Sequence, residues 1–424
     1  MSGSGVGRSG ARRVETLVVG AGHAGLTVSA LLGAAGRDHL VVDRRARLGG
    51  GWQDRWDAFR LVSPNWTASF VGFAYDGTDP DGFMPRDEIA ARVAAYAGAI
   101  QAPVKLETAV TGLRPGGDGF HVATSGGPIL ARRVVVATGG FHRPRVPPIA
   151  AALPRRVAQL HSHDYRNHAG LPPGAVLVVG SGQSGVQIAE ELAEAGRRVY
   201  LSVGSAGRVP RRYRGSDVFR WLHALNTQGE AFGTALPTPD RLPDIRLRSA
   251  GNPHLSGHRG GHDTNLRRLA AEGMTLLGRI ERVDGERLTL AADLSTNLAR
   301  ADAFFDERFR DLIDRFIERA GIDAPPDDRE PFAFEPPVET ELDLSRAGIG
   351  TVLWTTGYDR DYGWIDAPIF DSLGFPRLVD GMTEVPGLFF LGSLWQRNQV
   401  SATLFGAAVD GRRLAARMGL PTRD

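Results

Sequence analysis

The chain contains no cysteine in 424 residues. A redox thiol pair and a thiol nucleophile are therefore excluded, and the composition fits a reducing compartment, with the cytoplasm as the expected location. It also lacks an uninterrupted apolar run long enough to cross a bilayer, so no membrane-spanning role is expected. An excess of one charge sign is missing too: 50 Lys and Arg stand against 48 Asp and Glu, a formal net charge of +2. No compact basic run interleaved with aromatics occurs, and no nucleic-acid partner is expected. No metal site is expected either. What remains is 42% hydrophobic and 23% charged, the balance of a globular protein. Its length exceeds one ordinary core, so two or three domains are expected. Met1 to Arg13, rich in Gly, Ser and Arg, reads as a disordered tail. Arg12-Arg13 is not an export signal, because Glu15 and a strand follow.

Two glycine fingerprints are present. Thr16-Leu17-Val18-Val19 runs into Gly20-Ala21-Gly22-His23-Ala24-Gly25, and Val176-Leu177-Val178-Val179 runs into Gly180-Ser181-Gly182-Gln183-Ser184-Gly185. Each is an apolar strand, a G-x-G-x-x-G turn and a helix, which turns backbone N–H groups and a positive helix end toward a pyrophosphate. After the first, Ala24 to Gly36 has helical spacing with Gly36 as a candidate C-cap. The strand Leu40-Val41-Val42 then ends at Asp43, placed to accept a ribose hydroxyl. The alternative is a glycine-rich structural turn. Gly49-Gly50-Gly51-Trp52 requires close backbone approach, with Gly50 and Trp52 as candidate cofactor contacts. Val134-Val135-Val136-Ala137-Thr138-Gly139 is a buried-type strand whose small exit residues suit a cofactor or an ordinary loop.

After the second fingerprint, Gly180, Gly182, Ser184 and Gly185 are the candidate contacts, and Ser202 stands where the first unit has its acid. Arg208, Arg211 and Arg212 follow. A missing acid with nearby Arg suits a 2′-phosphate, hence NADPH; solvated surface arginines are the alternative. Pro144, Pro147, Pro148 and Pro154 mark a linker. Residues from about 215 to 337 read as an inserted helical subdomain, with an amphipathic stretch Leu294 to Ala320 ended by Pro325-Pro326. That insertion would cover a substrate cavity or form a homodimer contact. The late strand ending Leu391-Gly392 and a final helix from Ser401 to Met418 return to the first unit. The expected architecture is α/β: two Rossmann-like dinucleotide-binding domains, residues 14–150 with 359–424 enclosing residues 151–358.

These residues resemble the class B flavin-dependent monooxygenases, which include the flavin-containing monooxygenases and Baeyer–Villiger enzymes. The likeness covers most of the chain: both fingerprints, Gly49-Gly50-Gly51-Trp52, Ala137-Thr138-Gly139 and Thr356-Gly357-Tyr358. The family pattern F-x-G-x-x-x-H-x-x-x-(F/Y/W) is matched in part by His161 and Tyr165, with Arg155 and Val157 at its Phe and Gly positions. The resemblance implies FAD on the first unit and NADPH on the second. It implies a hydride passed to flavin, O₂ added at the flavin C4a, and one oxygen atom inserted into a small organic substrate. It makes His161 and Tyr165 a domain-linker motif. It also makes Asn65, in Ser63-Pro64-Asn65-Trp66, the candidate catalytic residue beside the flavin; a Pro-associated turn is the alternative. Electron transfer to a partner protein without oxygenation, and a non-enzymatic flavin-binding redox module, are the competing readings.

Overall fold

The computed structural model describes residues 11–421. Its first sheet has seven strands. The parallel centre runs Val104–Lys105, His39–Val42, Arg12–Val19, Ile129–Val136, and Leu388–Phe390 joins it from the far end of the chain. Antiparallel strands Gly119–Thr124 and Val110–Gly116 extend one side. The central strands are continuous Val and Leu runs because both faces are covered, one by the helices His23–Ala34 and Leu404–Arg417 and the other by the antiparallel strands and the segment around Tyr362, Ile365 and Ile369; Leu17, Val18, Val41, Val42, Val134 and Val135 are fully buried. Residues 1–10 of the expected tail lie outside the described residues. Arg12 and Arg13 correct that expectation: they pair with Ile129 and Leu130, whose backbone groups give them a ladder to join.

The second sheet has five parallel strands in the order Thr275–Leu277, Val199–Ser202, Ala175–Val179, Ile349–Trp354, Ala158–His161. Its strands all fall between the two parts of the first sheet. A two-stranded ribbon, Arg143–Pro144 against Tyr358–Asp359, joins the units.

One boundary is corrected. The stretch 215–337 is not a single insertion, since Thr275–Leu277 pairs with the Val199–Ser202 strand at the sheet edge. A hairpin, Ile280–Asp284 with Arg287–Leu290, follows and adds Glu341–Asp343. A three-residue edge strand is too short to show a period in sequence. The amphipathic stretch forms a helix Leu294–Phe305, a wider π turn Asp306–Arg310 and a helix Asp311–Ala320. Its stripe of Phe305, Phe309, Ile313, Phe316 and Ile317 packs on Trp221, Leu222 and Leu225 of the Val218–Thr227 helix. It stops at left-handed Gly321 (φ +64°), four residues before Pro325, because glycine adopts the helix-ending conformation without a Cβ clash.

Candidate active site

The register of the first sheet sets its site. Val19 pairs with Val42 and Val136, and Val136 with Phe390. Gly20, Asp43, Ala137 and Leu391 therefore leave at one edge, the carboxyl edge where α/β sheets hold ligands. Gly20 turns at φ +109°, and a Cβ there would lie 2.5 Å from the Ala137 carbonyl oxygen. A Cβ on Gly25 would lie 1.8 Å from the Gly20 carbonyl oxygen. A Cβ on Gly22 would meet nothing within 4 Å. Two glycines thus permit close packing, and the middle one faces open space. Gly22 begins the His23–Ala34 helix without a side-chain cap, so the first-turn N–H groups point into that space.

The second fingerprint repeats this geometry. Gly180 turns at φ +107° with a Cβ position 2.9 Å from the Thr355 carbonyl oxygen. A Gly185 Cβ would lie 2.0 Å from the Gly180 carbonyl oxygen, and a Gly182 Cβ would again meet nothing within 4 Å. The Gln183–Glu194 helix starts there uncapped, with Ser184 partly exposed in its first turn. Both cradles fit a pyrophosphate.

Asp43 is buried. Its Oδ2 accepts the Ala21 N–H at 2.8 Å and its Oδ1 the Arg45 N–H at 2.9 Å. It therefore fixes the glycine turn, and a carboxylate's remaining lone pairs leave room for a ribose hydroxyl. Ser202 is also buried, and its hydroxyl donates to the Gly278 carbonyl at 3.0 Å. Arg208 is partly exposed and holds Asp302 through Nε at 2.8 Å. Arg211 is placed differently. Its guanidinium is buried, donates to the Val62 carbonyl at 2.7 Å and to Asp217 at 2.8 Å, and lies between the Phe83 and Phe219 rings. It pins the inserted segment to the first unit. That placement overturns Arg211 as a phosphate reader, because burial beside Asp217 leaves its fork no open direction.

Gly50 brings the Gly50–Asp54 turn against Gly22: its Cβ position is 3.1 Å from the Gly22 Cα. Trp52 lies 6.4 Å from the His23 ring and 6.0 Å from Phe59. Burial pushes the His23 pKa down to about 4, so this imidazole inside the fingerprint is neutral near pH 7. Thr138 bonds His142 at 3.2 Å, and Gly139 turns at φ +73°. A Cβ on Gly392 would meet Ala24 Cβ at 2.6 Å, so the last strand rests directly on the first helix. Asn65 is buried with both amide atoms engaged: Nδ2 donates to the Asp79 carbonyl at 2.9 Å and Oδ1 accepts the Met84 N–H at 2.6 Å. The structure uses it to hold the Asp79–Met84 loop. Next to it, Trp66 meets His223 edge-on at 5.4 Å and Phe405 at 6.3 Å, which joins the first unit to the insertion.

His161 ends its strand opposite Trp354. Its Nδ1 accepts the His163 N–H at 3.1 Å, so Nε2 carries the proton and donates to the Gly357 carbonyl at 3.0 Å. Burial lowers its pKa. Tyr165 is fully buried, and its hydroxyl donates to Glu191 on the Gln183–Glu194 helix. The two motif residues thus tie the linker to Gly357 and to the second fingerprint's helix. Arg55 and Glu191, which no motif marks, complete the junction with Tyr358 of the Thr356-Gly357-Tyr358 element. Among the described residues there is no cluster of metal-ligating side chains and no helix long and apolar enough to cross a membrane.

The family model described as pyridine nucleotide-disulphide oxidoreductase matches residues 17–228. An uncharacterized CzcO-like oxidoreductase of Geobacillus kaustophilus is 31% identical over 95% of this chain and 97% of its own length. The chain belongs to this oxidoreductase family. An indole-3-pyruvate monooxygenase of rice, Oryza sativa, is 29% identical across 49% of this chain and 53% of that relative. A flavin-containing monooxygenase from Stenotrophomonas maltophilia shares the fold with a TM-score of 0.63 at 19% identity, covering 96% of this chain and 98% of that one. The oxidoreductase thus shares the α/β fold of two dinucleotide-binding units with this flavin-containing monooxygenase. The disulphide chemistry in the family's description does not extend to this oxidoreductase, which has no cysteine.

Proposed function

We propose that the chain is an FAD- and NADPH-dependent monooxygenase that inserts one oxygen atom of O₂ into a small organic substrate. The observation that carries this reading is the pair of matching glycine cradles in a chain without a thiol. A hydride can pass between two nucleotides, and no cysteine is present to take the electrons onward. Bound FAD supplies the reaction with O₂, and NADPH supplies the hydride.

The chain's own residues bind and orient. The uncapped helix ends behind Gly22 and Gly182 hold the two pyrophosphates, FAD on the first unit and NADPH on the second. Asp43 sets the first turn and accepts a ribose hydroxyl. Arg208 is assigned to the 2′-phosphate: Asp302 takes its Nε, which leaves the outer edge of the fork to bind. Thr138, Gly139 and Gly392 let the cofactor approach the sheet edge closely. Trp66, His223 and Phe405 close the space beside the first unit and exclude water, which protects reactive flavin chemistry from solvent. The absence of a thiol and the use of NADPH support a cytoplasmic setting. The test is a screen with isotopically labelled O₂ over amines, thioethers, ketones and aryl oxo acids. A product heavier by one labelled oxygen supports the proposal; NADPH oxidation with label recovered only in hydrogen peroxide or water across all classes contradicts it.

A further inference from the structure

A segment from well along the chain lies across the second cradle. A Cβ on Gly251 would be 3.8 Å from the Gly182 Cα and 3.6 Å from the Ala206 Cβ. Gly251 therefore stands to Gly182 much as Gly50 stands to Gly22 in the first unit. The Leu255 carbonyl accepts the side-chain amide of Gln183, the first residue of the helix behind the cradle. His254 donates its N–H to the Gly207 carbonyl at 2.7 Å. Ahead of these ties, Ser249, Ala250, Gly251 and Asn252 are exposed on their outer side. Among the described residues the N–H groups of Gly251 and Asn252 donate to no backbone carbonyl.

Both ends of this segment are fastened to the first unit. Before it, the Arg248 side chain is buried, donates to Asp371 at 2.8 Å and lies 3.9 Å from the Phe375 ring centroid. Asp371 is a fixed post. It follows Ile369 and Phe370, which pack under the first sheet, and its other oxygen accepts the Leu373 and Phe375 N–H groups at 2.9 Å. After the segment, a Cβ on Gly257 would lie 1.8 Å from the Leu61 carbonyl oxygen, so that backbone rests directly on the first unit. The ends are thus firmly held, while the middle has few contacts and little backbone hydrogen bonding. Such a stretch opens locally at low cost. It spans the cradle of one unit while anchored on the other, so its opening exposes the cradle without unfolding either sheet.

We propose that residues 249–253 are a strap over the NADPH pyrophosphate, latched by Arg248 on Asp371, which lifts for the nucleotide to enter and leave. This rests on reading the second cradle as the NADPH site, but not on oxygen insertion. The experiment uses the full, FAD-loaded chain with NADP⁺ and NAD⁺ as probes. Arg248→Met keeps a side chain on Phe375 and removes the latch. NADP⁺ association and release should both quicken about tenfold, the factor for one lost charge-assisted hydrogen bond, while affinity stays within about threefold. Arg248→Lys, which keeps the charge, should fall between. Where Arg248→Met folds poorly, Asp371→Asn carries the comparison. Gly251→Val fills the space over Gly182 and should weaken NADP⁺ and NAD⁺ alike by about tenfold or more, with FAD content unchanged, because both nucleotides carry the pyrophosphate. Hydrogen exchange at residues 249–252 should slow when NADP⁺ binds the wild type. The proposal is overturned by latch variants that exchange NADP⁺ at wild-type rates, by a Gly251→Val chain that binds it as wild type does, or by hydrogen exchange there that NADP⁺ leaves unchanged. A wild type blind to both nucleotides up to about 10 mM would overturn the strap and the second cradle together. Altered exchange rates without labelled product in any substrate class would remove the oxygenase reading and keep the strap; labelled product with unaltered rates would do the reverse.

Discussion

The Tyr165 hydroxyl donates to the Glu191 carboxylate across 2.9 Å, which joins the segment between the two units to the helix behind the second fingerprint. The other Glu191 oxygen is buried without a partner. Removing the hydroxyl with Tyr165→Phe leaves the carboxylate less satisfied and should lower stability by about 1–3 kcal/mol. Denaturant titration checks this, and an unchanged midpoint would contradict it.

The same pair predicts a pH dependence. Burial pushes the Glu191 pKa up to about 7, from an ordinary 4.5. Between those values the folded chain binds a proton that the unfolded chain has released, so Glu191's effect on stability worsens as pH rises through this window and then levels off. Glu191→Gln should therefore raise the melting temperature more near pH 8 than near pH 5, roughly the two ends of that window. An equal gain at both would refute the assignment.

The middle and last glycines of each fingerprint should behave differently. Gly22→Val projects into open space, so that variant should fold and lack FAD. Gly182→Val should fold, keep FAD and fail to be reduced by NADPH. Gly25→Ala places a Cβ 1.8 Å from a carbonyl oxygen and should reduce folded yield itself. FAD-to-protein ratios and circular dichroism separate these outcomes; a Gly22→Val protein with full FAD would remove the cradle.

Arg208 and Arg211 are separable in the same way. Arg208→Ala should weaken NADPH about tenfold and leave NADH nearly untouched, as expected for one lost charge-assisted contact. Arg211→Ala strips the partner from Asp217, whose side chain is 13% exposed, and should cost about 3–5 kcal/mol of stability. Kinetics with both nucleotides, alongside melting curves, would show whether either residue is misassigned.

The legible parts of this fold were those with local signatures. Strand, glycine turn and helix recur with fixed spacing, and Asp43 follows at the expected distance; all are visible because each constraint acts within a few residues of backbone. The Thr275–Leu277 edge strand, the Arg211 pin and the Tyr165–Glu191 bond were not legible, because each depends on a partner far along the chain. Arg12 and Arg13 resembled a polar tail until Ile129–Val136 was long enough to pair with them. Asn65 carried a family likeness, while its buried amide contacts within the loop follow from packing.

The most direct test of the central claim mixes NADPH-reduced, FAD-loaded enzyme with O₂ in a stopped-flow instrument while NADP⁺ remains bound. Oxygen uptake and flavin absorbance are followed together. A monooxygenase predicts that O₂ is consumed well before oxidised-flavin absorbance returns, with hydrogen peroxide appearing late. Simultaneous O₂ consumption, flavin reoxidation and peroxide release, or reduced flavin inert to O₂ until a protein acceptor is added, would contradict it.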